Sequence, residues 1–236
     1  MYEEYIDVLV DAVSWRFSKD QIKCVETNTN ALLQSVSLFE NMYQLLLEAE
    51  KITIVLVDGT VYNLFAWKSE KGIGGWLCEP RNYTDVSIRP AKYKLLQSAL
   101  GNIVETFGFE SVRDDWLCNL NWFLGAEELE FGLNSWKDYF EERCEDENKV
   151  PILERQGQVF DIDNLFIMAE EANGNLLLCD ANTEEVFLFA HDHCFENISV
   201  CGDLPEYTFY TVEGGMCFWD YIELVAKQWQ KYLHEQ

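Results

Sequence analysis

Three short apolar runs joined by two turns constrain this chain most. Residues 165–169 (LFIMA), 175–179 (NLLLC) and 185–190 (EVFLFA) are separated by Asn173-Gly174 and by Asp-Ala-Asn-Thr at 180–183, whose side chains favour turns. Such spacing predicts an antiparallel meander. Its strands are nearly continuous in apolar side chains rather than alternating, so each needs cover on both faces. Residues 206–212 (EYTFYTV) supply a further strand. Helical segments flank this region, so the expected class is α+β: a mixed or antiparallel sheet flanked by helices.

Two amphipathic segments precede it. Residues 2–16 put Tyr2, Tyr5, Leu9, Ala12 and Val13 on one helical face, and residues 31–50 align Leu38, Met42, Leu45 and Ala49. The period then changes. ITIVLV-DG-TVYNLFAW is β-branched and aromatic on both sides of Asp58-Gly59, a hairpin signature because that dipeptide accepts positive φ. The glycine-rich KSEKGIGGW reads as a loop or hairpin tip. Pro90 suits a helix start, and Tyr93, Leu96, Leu100, Ile103 and Phe107 follow at steps of three and four, predicting a helix over 91–106 that tolerates Gly101. Residues 135–144 (SWKDYFEERC) and 217–233 read as helices, the last with Phe218, Ile222, Val225, Trp229 and Tyr232 inward. The expected organisation is a helical and hairpin region over 1–85 and an α+β domain over 86–236.

Charge narrows the partners. Against 42 acidic residues stand 17 basic ones, a formal net of -25, in a chain that is 48% hydrophobic and therefore able to build a core. That field repels nucleic-acid phosphates and anionic membranes and attracts basic proteins. Residues 127–147 concentrate it, with nine acids against Lys137 and Arg143, interleaved with Leu129, Phe131, Trp136, Tyr139 and Phe140. Read blandly, this is a solvated helical face; as a surface, it is a charged patch with aromatic anchors.

The eight cysteines are scattered without a CxxC pair, the start MYEEYIDVLV is acidic, and no apolar run approaches the ~20 residues of a membrane span. The expectation is a cytoplasmic protein with reduced thiols.

Candidates for chemistry are weaker than their rivals. His191, Asp192, His193 and Cys194, with Cys201 beyond, are zinc-compatible types without zinc spacing, and strand-end histidines account for them equally well. Paired carboxylates occur at Asp161/Asp163, Glu170/Glu171 and Glu184/Glu185, as an acid–base enzyme would want, yet 42 acids make pairs unavoidable. No GxSxG elbow or phosphate-binding glycine loop is present. The expectation is a binding protein rather than an enzyme, with no metal or cofactor. A metal-dependent or acid–base enzyme is the rival.

From Pro90 onward the order of parts resembles the SMI1/KNR4, or SUKH, superfamily. Pro90, Tyr93, Leu96 and Gly101 match its proline-led opening helix. Phe166, Ala169, Gly174, Leu177, Asp180, Val186, His191 and Asp192 match its passage through adjacent strands, and residues 207–233 its closing strand and helix. These motifs are mostly fold-determining. The resemblance implies a SUKH-like sheet covered by helices and a role in protein–protein interaction: bacterial members are largely immunity proteins that neutralise toxins, often nucleases, and fungal members are interaction hubs. The expected function is thus an immunity protein plugging the basic groove of a toxin domain, or else a regulatory or scaffold module. Glu141, Glu142, Glu145, Asp146, Glu170 and Glu171 are the expected contact carboxylates.

Overall fold

The β-branched runs on either side of Asp58-Gly59 do form a hairpin, β2 (Glu50–Leu56) and β3 (Val61–Ser69), with Gly59 at φ 93° in the turn. The computed structural model describes residues 2–28, 33, 36–80, 89–108, 122–124, 164–171, 174–190, 197–202, 204, 206–212 and 215–234. Around the hairpin lie α1 (Glu3–Ala12), β1 (Ile22–Thr27), α2 (Glu40–Glu48), β4 (Gly72–Glu79), α3 (Ala91–Leu100) and β5 (Asn102–Phe107). There follow β6 (Trp122–Leu124), β7 (Leu165–Glu171), β8 (Leu176–Asp180), β9 (Val186–Phe189), β10 (Ile198–Val200), β11 (Phe209–Val212) and α4 (Phe218–His234). The class is α+β, with two antiparallel sheets ordered β1-β2-β3-β4-β5 and β10-β11-β9-β8-β7-β6. β5 and β6 lie side by side, so the two sheets approach one another at that point.

The meander needs cover on both faces and has it. Phe166, Met168, Leu177, Cys179, Val186 and Leu188 point to one side, where they join α2, α3, α4 and the inward residues Phe65, Trp67, Trp76 and Ile103 of the first sheet. Leu165, Ile167, Leu176, Leu178, Phe187 and Phe189 point to the other, packed with Phe209, Cys201 and Leu204. The second face of the first sheet (Ile52, Ile54, Leu64, Leu77, Val104) carries α1 through Ile6, Leu9 and Val13. The helices α2, α3 and α4 therefore share one core with both sheets. A division after residue 85 falls between β4 and α3, whose neighbours β4 and β5 pair in one sheet.

Several expectations are corrected. The helix after Pro90 ends at Leu100, not 106: Gly101 takes φ 81°, its N–H donates to the Gln97 carbonyl at 2.7 Å, and the β-branched NIVETF that follows is β5. Ile103 and Phe107 fit a helical spacing, but in β5 they serve cores on opposite faces of the sheet. Of KSEKGIGGW, Glu70 and Lys71 do form the tip of the β3–β4 hairpin, with Ser69 opposite Gly72, but GIGGW is not a loop. It lies within β4, and a side chain at Gly75 would strike the Phe65 carbonyl and the Phe107 ring, so glycine there permits close strand packing. α1 is shorter than 2–16 and buries Ile6 in place of Ala12, which is exposed. α2 begins only at Glu40, leaving Leu38 56% exposed and outside the buried stripe.

Candidate functional site

The expected contacts Glu141, Glu142, Glu145 and Asp146, the helix expected over 135–144, Asp161/Asp163 and the His191-Asp192-His193-Cys194 group lie outside the described residues. Glu170 and Glu171 fall on β7, in a ladder between β6 and β8: Glu170 stands opposite Phe123 and Leu176, and Glu171 opposite Trp122. Their backbone is committed to the sheet. Among the described residues no group of three or more His, Cys, Asp or Glu is placed to hold a metal ion. Nor is any helix among them long and apolar enough to cross a membrane.

The β8–β9 turn gathers titratable groups. The Asp180 carboxylate accepts from the N–H groups of Asn182 at 2.7 Å and Thr183 at 2.9 Å, which tightens the turn and sets Glu184 at φ 61°. The Glu184 carboxylate then meets Lys92 Nζ at 2.8 Å, while its carbonyl accepts from Phe218 N–H at 2.7 Å. One turn is thus fastened to the starts of α3 and α4. Lys92 also lies 5.2 Å from the Trp219 ring centre, and the Cys217 thiol donates to Asp220 at 3.2 Å in the first turn of α4. The pair Glu184/Glu185 is divided: Glu184 is salt-bridged, whereas the Glu185 carboxylate lies over Gly215. Burial, then the charge of Asp180, raises the Glu185 pKa.

A raised carboxylate favours the folded state while protonated, and that contribution is lost as pH climbs through the folded-state pKa. Glu185→Gln is therefore expected to stabilise the protein at neutral pH and to leave it level with the parent at pH ~4, near the ordinary glutamate range. Urea unfolding of both proteins at the two pH values checks this. The interaction is partly solvent-screened, so the gain is small.

A different arrangement sits between the start of α1 and β1. No family model, curated protein or solved structure matches this chain. The geometry of this edge therefore speaks for itself. Glu3, Asp7 and Asp11 recur every four residues along the exposed side of α1, a like-charge ridge that weakens an isolated helix. Glu3 and Glu4 in the first turn offset part of that cost by meeting the helix dipole. Lys19 holds Asp7 at 2.5 Å and Glu3 at 3.7 Å, and Lys68 holds Glu4 at 2.7 Å; these contacts raise both lysine pKa values. Between helix and strand runs an open groove of about 380 Å³ lined by Tyr2, Glu3, Ile6, Lys19, Ile22 and Val25. The Tyr2 hydroxyl lies 2.6 Å from Thr27 Oγ1 and ties the helix start to the end of β1. Chemically the groove offers an apolar floor with a mostly acidic rim. The four-residue spacing of the acids was visible in the sequence; their meeting with β1 depends on the 13–21 turn and was not.

Cys78, Cys179 and Cys201 are free and buried, and burial raises all three, Cys201 to about 12.

Proposed function

We propose that this chain is a binding protein that neutralises a cationic protein partner, a toxin domain of nuclease type, by covering its basic groove. One observation carries the reading: a net charge of -25, with Glu3, Asp7 and Asp11 ranged along one exposed side of α1. A nuclease must be electropositive to hold its substrate, so an anionic protein is a physically apt plug. The likeness to the SMI1/KNR4 superfamily supports it. The helix led by Pro90 stops at Gly101, and Phe166, Ala169, Leu177, Asp180 and Val186 lie on β7, β8 and β9, with Gly174 ahead of β8 and His191 and Asp192 outside the described residues. Glu141, Glu142, Glu145, Asp146, Glu170 and Glu171 stand as proposed contact carboxylates. Five free cysteines among the described residues fit action in the reducing cytoplasm.

The test is to mix the purified protein with the toxin encoded beside it. A complex is expected at low ionic strength, with association slowing on the order of a hundredfold between ~0.01 M and ~0.5 M salt as the charges are screened. Absence of any complex at low ionic strength removes the proposal.

A further inference from the structure

We infer that the outer edge of β1 is a docking strand for an extended, basic segment of a protein partner, which adds to the first sheet and lays an apolar side chain into the α1–β1 groove. The inference rests on the reading above that the partner is cationic.

Three observations converge. First, β1 ends the sheet, pairing with β2 alone among the described strands. Asn28 N–H donates to the Lys51 carbonyl at 2.8 Å, so the alternation of an antiparallel ladder turns Glu26 and Cys24 toward β2 as well. Val25 and Thr27 then present their N–H and C=O groups outward. Exposed edges of this kind template pairing with another chain unless blunted, and main-chain bonds of that type drive strand addition. The bulge between Ile22 and Cys24, with Lys23 inside it, blunts only the first part of the strand.

Second, the groove lies on the α1 side of this edge. Ile22 and Val25 pack partly against the α1 core there, and Ile6 and Tyr2 complete the floor. A side chain from an added strand on that face comes to rest against those four residues. Third, the surroundings are anionic. Glu3, Asp7, Asp11 and Glu26 are exposed along the helix and strand, and Lys19 is already engaged by Asp7 and Glu3. Flanking cations on an incoming segment meet Asp11 and Glu26 and compete with Lys19 for Asp7 and Glu3. A second copy of the chain brings its own -25 and is disfavoured.

The experiment is amide hydrogen exchange on the full chain with the peptide acetyl-KKVTVKK-amide, and with its glutamate-for-lysine counterpart as control. The basic peptide is expected to slow exchange at Val25 and Thr27 by about tenfold, and the acidic one to leave them unchanged. Val25→Pro deletes an outward N–H without breaking a β1–β2 bond, and Val25→Lys places a cation on the edge while keeping the backbone. Each should weaken peptide binding by about tenfold or more, with exchange at Thr53 and Val55, whose N–H groups face β1, unchanged as the sign that the sheet is intact. The inference is overturned if Val25 and Thr27 gain no protection, if protection appears only elsewhere, or if Val25→Lys binds the peptide undiminished. Concentration-dependent protection without peptide would assign the edge to a second copy and overturn it too. If the adjacent toxin binds the parent and Val25→Lys equally, the edge loses its role while the cationic partner stands; if it binds neither, the wider reading falls instead.

Discussion

Gly101→Ala is expected to destabilise the protein by about 3 kcal/mol or more, lowering the urea midpoint by roughly 1–2 M. Gly101 adopts φ 81° and ψ −161°, a region open essentially to glycine alone. A Cβ there would also fall inside the envelope of the Glu79 carbonyl and approach the Pro80 Cα at 3.3 Å. Both obstacles are backbone, so no side chain can turn aside. Relief requires β5 to pull away from β4 where the two already change register, between Leu77 and Cys78. The sign of the effect is the informative part. Were Gly101 inside a continuous helix, as the spacing of Leu96, Leu100, Ile103 and Phe107 predicts, alanine would stabilise by roughly 0.5–1 kcal/mol. A single midpoint measurement separates a helix interior from a helix stop.

That residue also marks where sequence reasoning stopped working. Steps of three and four look helical, yet Leu96 and Leu100 belong to α3 while Ile103 and Phe107 belong to β5, so one apparent stripe was two elements in series. The glycine and the β-branched NIVETF after it distinguish them, and at Gly101 the close approach of the Glu79 backbone leaves no room for a side chain. The error over GIGGW has the same origin: glycines that look like a loop are needed because Phe65, Ala66 and Phe107 crowd the strand at Gly75. Asp58-Gly59 and the 165–190 meander were legible because their signals are local, a turn dipeptide between β-formers and polar turns between apolar runs. The candidate site was legible only in part. Charge density picked out Glu170 and Glu171 without showing that their backbone lies in a ladder between β6 and β8. The ridge of Glu3, Asp7 and Asp11 was written in the spacing, but the groove beside it needs Lys19, Ile22 and Val25, which a turn delivers from later in the chain.

Trp229→Ala is expected to cost about 3–5 kcal/mol, the usual range for a large aromatic removed from a core. Trp229 of α4 is fully buried, with its ring centre 4.7 Å from Trp76 and 5.4 Å from Trp67; those two lie 4.9 Å apart on adjacent strands of the first sheet. Trp67 Nε1–H in turn donates to the Leu45 carbonyl of α2 at 2.9 Å. Deletion therefore leaves a cavity between two helices and a sheet and removes one edge-on contact, to Trp76, worth about 0.5–1.5 kcal/mol, and a tilted one to Trp67. Trp15, 69% exposed, provides the contrast: Trp15→Ala should stay within about 0.5 kcal/mol of the parent. The shape of the transition tests more than the size of the loss. The same helix packs Phe218, Ile222 and Val225 into the core that Phe166, Met168 and Leu188 of the second sheet share. Loosening α4 should weaken both sheets together, giving one urea transition seen alike by far-ultraviolet circular dichroism and tryptophan fluorescence. Two separated transitions would show that the sheets hold independent cores, contrary to the shared packing of α2, α3 and α4.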